Sequence, residues 1–113
     1  MKLKEIVGKL QLQVLVGEER LDSEVTGGYT SDLLSDVMAN SKAKYLWITL
    51  QTHENIVAVA KLKDLAGIIL VNNRKPDEET LKRAKDEKVT LLASGETAFN
   101  ITGKLFDLIG SKN

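Results

Sequence analysis

Three short apolar runs, Tyr45 to Leu50, Gly67 to Val71 and Val89 to Ala93, alternate along the chain with segments of helical periodicity. This alternation constrains the fold more than any other feature. Strands that are apolar throughout are buried on both faces, and a helix between each pair of them supplies the crossover that parallel pairing needs. The pattern therefore predicts βαβ units in an open, mostly parallel sheet with helices on both faces: a single three-layer α/β domain over residues 1–113.

The intervening helices follow from spacing and end signals. From Glu54 to Lys63, the apolar positions Ile56, Val57, Val59, Ala60 and Leu62 predict one helix. Pro76 suits the first turn of the next, where Asp77, Glu78 and Glu79 complement the helix dipole and Leu81 and Ala84 recur inward. Thr97 to Ile109 predicts a last helix, with Ala98, Ile101, Leu105, Leu108 and Ile109 on one apolar face and Phe99 and Phe106 widening it.

Upstream, Leu3, Ile6, Val7 and Leu10 predict a short helix, and Leu12, Val14 and Val16, alternating with Gln11, Gln13 and Leu15, predict a strand ended by Gly17. Val25 then leads into Thr26-Gly27-Gly28, whose paired glycines predict a tight turn. A helix follows, with Ser31 as N-cap, Asp32 in its first turn and Leu33, Leu34, Val37 and Met38 as its apolar face.

Composition narrows the function. Sixteen basic and sixteen acidic side chains cancel, which removes the broad positive field that nucleic-acid or anionic-membrane binding draws on. The chain has no cysteine, so there is no disulfide, thiolate nucleophile or Cys-ligated cluster, and nothing requires an oxidising compartment. No apolar run approaches the roughly 20 residues that span a bilayer. A cytoplasmic protein is expected, with neither nucleic acid nor membrane as partner and with no cofactor or metal.

In parallel sheets, ligands bind beyond the carboxyl ends of the strands. The candidates there are Thr26, Gly27 and Gly28 after the second strand, Thr52 and His53 after the third, Asn72, Asn73 and Arg74 after the fourth, and Ser94 and Thr97 after the fifth. Gly27-Gly28 suits either a structural turn or an anion-binding loop, although it is neither a Walker A loop nor a GxGxxG fingerprint. His53, the one histidine, suits a structural hydrogen bond at a helix start, or an acid–base role if Thr52, Glu54 or Glu96 lies within reach. Arg74 and Lys75 suit bidentate or point-charge contacts with an anion, or an ordinary polar loop. Trp47, between Leu46 and Ile48, reads as core.

The order of these features resembles the DRTGG domain, a small α/β module found beside CBS domains in some pyrophosphatases, in some phosphotransacetylases and, distantly, in the N-terminal part of HPr kinase/phosphorylase. The resemblance runs from about Leu12 to Leu105 and rests on strand spacing, Gly67-Ile68-Ile69-Leu70, Pro76 and Thr97. The family's Asp-Arg pair falls at Thr52 and His53, and its Thr-Gly-Gly at Val71, Asn72 and Asn73, so this chain departs at all five. Thr26-Gly27-Gly28 is not that signature. The departures bear on the ligand rather than the fold, since a His is not an Arg and an Asn lacks glycine's close backbone approach.

The resulting expectation is a non-catalytic regulatory or ligand-sensing module that takes a nucleotide or small anion at the strand ends. The alternative is an accessory subunit docked on an iron-only hydrogenase or another larger redox or metabolic enzyme. The resemblance also implies a homodimer, in keeping with the breadth of the final helix's apolar face. The competing reading buries that helix twice within the monomer, against the sheet and the first helix.

Overall fold

Why the chain folds as a sheet between two helical layers is visible in how its strand residues divide between the faces. The computed structural model describes residues 1–110. Strands β1 (Gln13–Val16), β2 (Gly27–Thr30), β3 (Tyr45–Thr49), β4 (Gly67–Leu70) and β5 (Leu91–Ala93) form one sheet in the order β1-β5-β4-β3-β2. Strands β2 to β5 are mutually parallel, while β1 lies antiparallel on the outer side of β5. Helices α1 (Leu3–Leu10), α2 (Leu34–Asn40), α3 (Asn55–Lys63), α4 (Glu78–Glu87) and α5 (Ala98–Ile109) complete the fold, with a 3-10 turn at Glu18–Arg20.

Alternation along each strand sorts its side chains to opposite faces. Leu46, Ile48, Ile69 and Leu92 pack with Leu3, Ile6 and Leu10 of α1 and Ile101, Leu105 and Ile109 of α5. Trp47, Ile68, Leu70 and Leu91 pack with Val37 of α2, Ile56, Val57 and Ala60 of α3, and Ala84 of α4. Trp47 is fully buried, and its indole N–H donates to the Ser31 carbonyl at 2.8 Å. Burial of each such side chain contributes about 1.5–3 kcal/mol, so the two apolar faces of β3 and β4 hold the three layers together.

Because β2, β3, β4 and β5 follow one another in a single direction, crossovers of one hand place α2, α3 and α4 on the same face. Helix α5 leaves β5 for the other face, beside α1. The chain thus reverses its winding after β5, and the loops following β4 and β5 part towards opposite faces. A β-bulge between Val14 and Val16 lets both Leu15 and Val16 join the α4 side.

The structure corrects three local expectations. Thr26-Gly27-Gly28 is no turn: Gly27 and Gly28 are the first residues of β2, and the Thr26 N–H donates to the Lys44 carbonyl. A Cβ at Gly27 would stand 2.6 Å from the Tyr45 ring and one at Gly28 2.7 Å from Leu105, so the pair lets β2 lie close beneath its neighbours. Ser31 does not cap α2, which starts three residues later; its hydroxyl accepts from Leu33 N–H in a local turn, and Asp32 turns back to accept from the Thr49 hydroxyl and the Leu50 N–H. Pro76 precedes α4 rather than opening it, with Asp77 at the N-cap position.

Helix α5 starts as its sequence predicts, with the Thr97 hydroxyl accepting from Asn100 N–H. Its Ile101, Leu105 and Ile109 are buried within the monomer against the sheet and α1, as the competing reading had it, while Phe99 and Phe106 stay 86% and 59% exposed.

Candidate functional site

Where loops from adjacent strands part towards opposite faces, an open sheet leaves a crevice beyond its carboxyl ends. That point here lies between β4 and β5, and a cleft of about 560 Å³ opens beside it. One wall is the β4–α4 loop, with Asn73, Arg74, Lys75 and Pro76; another is the end of β5, with Ala93, Ser94 and Gly95. The third comes from the antiparallel edge, where Gln11 and Gln13 lie beside Leu15, and Leu81 of α4 closes the apolar side. The volume is within the range of small-molecule sites.

The β4–α4 loop is a tight turn with unusual backbone. Asn72 and Asn73 both have left-handed φ, 58° and 56°, and the Arg74 N–H donates back to the Val71 carbonyl at 3.1 Å. Two central residues at positive φ mark a type I′ turn, and asparagine is among the side chains that tolerate this conformation best. The turn is stitched to the neighbouring loop by Asn72 N–H on the Glu96 carbonyl, 2.9 Å, and Asn73 N–H on the Ser94 carbonyl, 3.1 Å. The Asn73 side chain covers Gly95, where a Cβ would stand 3.0 Å from Oδ1.

Arg74 and Lys75 follow this turn and are exposed at the cleft. Among the described residues, the ion pairs include Arg20 with Glu19, Arg83 with Glu54 and Glu87, and Lys104 with Glu96, but none involves Arg74 or Lys75. Two cations are thereby left available beside neutral amides and Ser94, whose hydroxyl accepts from Glu96 N–H at 3.0 Å. Among the described residues, no three His, Cys, Asp or Glu side chains gather closely enough to hold a metal. The arrangement is suited to holding an anionic ligand.

The residues singled out from the sequence do not all meet here. Asn73, Arg74 and Ser94 line the cleft, with Asn72 one position back in the same turn. Thr97 serves as the α5 cap. Thr52 and His53 lie outside the cleft, at the end of β3: the Thr52 carbonyl accepts from Asp77 N–H and the Thr80 hydroxyl, tying that loop to the start of α4, and His53 Nδ1 accepts from Asn55 N–H at 3.2 Å. Glu54 and Glu96, the carboxylates considered as partners for His53, pair instead with Arg83 and Lys104. Thr26, Gly27 and Gly28 stand at the amino ends of the parallel strands, across the sheet from the cleft, which corrects their expected position at a strand's carboxyl end.

Gln11 and Gln13 were not legible as site residues, because only an antiparallel β1 brings the start of a strand to the carboxyl ends of the others. Their sole signal was polarity alternating with Leu12 and Val14.

No protein-family profile matches the sequence, and no curated protein matches it. Among solved structures, the fold is similar to the CBS and DRTGG domains of the regulatory region of Clostridium perfringens pyrophosphatase, complexed with the activator diadenosine tetraphosphate. The TM-score is 0.71 at 16% identity, and the match covers 92% of this chain and 45% of that one. The chain thus spans less than half the neighbour's length, and the likeness is one of fold: a five-stranded α/β sandwich of the kind found in a regulatory region that contains a DRTGG domain.

Proposed function

We propose that this chain is a single DRTGG-like regulatory module of the cytoplasm that senses a small anion or nucleotide in the cleft between β1, β5 and the β4–α4 loop, and catalyses no reaction itself. The observation that carries the reading is the placement of the unpaired Arg74 and Lys75 at the point where the winding of the sheet reverses. Two further facts support it. The neighbour of the same fold is a regulatory region that binds a nucleotide activator. The left-handed backbone at Asn72 and Asn73 is one that a pair of glycines would adopt freely, so the family's Thr-Gly-Gly and this chain's Val-Asn-Asn fit the same turn.

Titration calorimetry of the intact chain with inorganic phosphate, pyrophosphate and nucleotides tests the proposal. Saturable binding that weakens on Arg74→Gln and on Lys75→Gln is the expected result; no binding of any anion would overturn it. An accessory role beside an iron-only hydrogenase gains nothing from the neighbour, which belongs to a pyrophosphatase.

Homodimer formation is a second proposal, carried by Phe99 and Phe106. They project from α5 onto a surface whose neighbouring lining, Thr30, Ala98, Thr102 and Gly103, holds no charged residue.

A further inference from the structure

We infer that the ligand of this cleft is a nucleoside monophosphate, bound with its phosphate at Arg74 and Lys75 and its base at Gln11 and Gln13. The inference rests on the anion-binding reading above and adds which end of the cleft does what.

The walls are chemically divided. Arg74 and Lys75 are cationic and sit together on one loop. Gln11 and Gln13 approach from the opposite chain direction, on the α1–β1 corner, and each carries an amide with both a donor and an acceptor. Gln11 is held in a left-handed conformation with φ 54°, fixed by the helix end it terminates, where its N–H bonds back to the Gly8 carbonyl. Gln13 is in the β1 ladder opposite Ala93. Apolar surface from Leu15 and Leu81 lines the cleft as well, and both side chains are half-buried against the α4-side core. A flat heterocycle matches such a surface, and a glutamine amide can pair with the N6/N7 edge of adenine.

The phosphate end has room for little charge. The backbone N–H groups that a phosphate loop would offer are already engaged: Asn72 with Glu96, Asn73 with Ser94 and Arg74 with Val71. The start of α4 repels further anions, since Asp77 sits at its N-cap position and Glu78 and Glu79 fill its first turn. Two side-chain cations match the charge of one phosphomonoester dianion and fall short of a triphosphate.

The test is equilibrium binding of the intact chain to AMP, adenosine, inorganic phosphate and magnesium-free ATP. AMP is expected to bind at least about tenfold more tightly than each of the other three. Gln13→Leu is expected to weaken AMP about tenfold while leaving phosphate affinity unchanged, with Gln11→Ala as the second variant and far-UV dichroism confirming that both fold. Arg74→Gln is expected to weaken both AMP and phosphate. If phosphate binds as tightly as AMP, or ATP more tightly, the inference fails while the anion site stands. If adenosine matches AMP, the phosphate end fails. Absence of binding by all four overturns this inference, and the function proposed above falls with it only if pyrophosphate and other nucleotides fail to bind as well.

Discussion

The Asn73 N–H donates to the Ser94 carbonyl at 3.1 Å, and together with the Asn72 N–H on the Glu96 carbonyl it joins the loop after β4 to the loop after β5 where the two set off for opposite faces of the sheet. It fixes the turn that presents Arg74 and Lys75. The turn depends in addition on φ values of 58° and 56°, at which most side chains are strained by roughly 1–2 kcal/mol.

Asn73→Val should therefore destabilise the protein by at least about 1 kcal/mol, since a β-branched side chain is poorly tolerated at left-handed φ. Asn73→Gly should remain within about 1 kcal/mol of the parent, its relaxed backbone offset by a more flexible unfolded chain. Urea unfolding of both variants checks this. Equal losses for Val and Gly would show that the Asn73 side chain over Gly95, rather than the backbone angle, sets the stability of the turn.

Gly28→Val should destabilise by about 1–3 kcal/mol, because even a Cβ there would meet Leu105 at 2.7 Å and the Leu46 carbonyl at 3.4 Å. Leu105 is buried between α5 and the sheet, so it has little space to retreat. Pairing Gly28→Val with Leu105→Ala should recover part of the loss, and strict additivity of the two in thermal unfolding would contradict the contact.

On the edge of the sheet, the Tyr29 hydroxyl lies 2.8 and 2.9 Å from the two carboxylate oxygens of Asp36, and Asn40 Nδ2 lies 2.8 Å from Oδ1. Hydrogen bonds from Ser31 above all, then from Tyr29 and Asn40, hold the Asp36 carboxyl below its ordinary value. The same carboxylate raises the Tyr29 phenol above its own. A depressed carboxyl contributes stability that is complete above the unfolded value of about 3.9 and is lost as pH falls through the lower folded value. A raised phenol contributes below about 10 and loses its share as pH rises through the folded value. Asp36→Asn should thus lower stability at pH 7 and lose that difference in acid; urea midpoints at pH 7 and pH 3 measure it, and a gap that widens in acid would refute the assignment.

If Phe99 and Phe106 form a two-fold contact, sedimentation equilibrium across micromolar concentrations should show dimer mass. Replacing both with Ser should return the monomer with little loss of stability, since neither side chain is in the core. Monomer mass for the unaltered chain throughout that range would remove the dimer.

Read from sequence alone, the apolar runs at Tyr45, Gly67 and Leu91 specify buried parallel strands, because a run without alternation has no face to offer water. The helical spacing of Leu3, Ile6 and Leu10, and of Ile101, Leu105 and Ile109, likewise specifies helices with one buried face, and the three-layer sandwich follows. Local signals failed where distant neighbours decide. Gly27-Gly28 carries the chemistry of a turn, but parallel pairing with Tyr45 and Leu46 of β3, from elsewhere in the chain, makes them the start of a strand. The site was half legible for the same reason. Asn73, Arg74 and Ser94 follow strands whose direction the pattern implies, whereas Gln11 and Gln13 join them only because β1 runs antiparallel, and strand direction at a sheet edge is settled by pairing with β5, which no periodicity within β1 encodes.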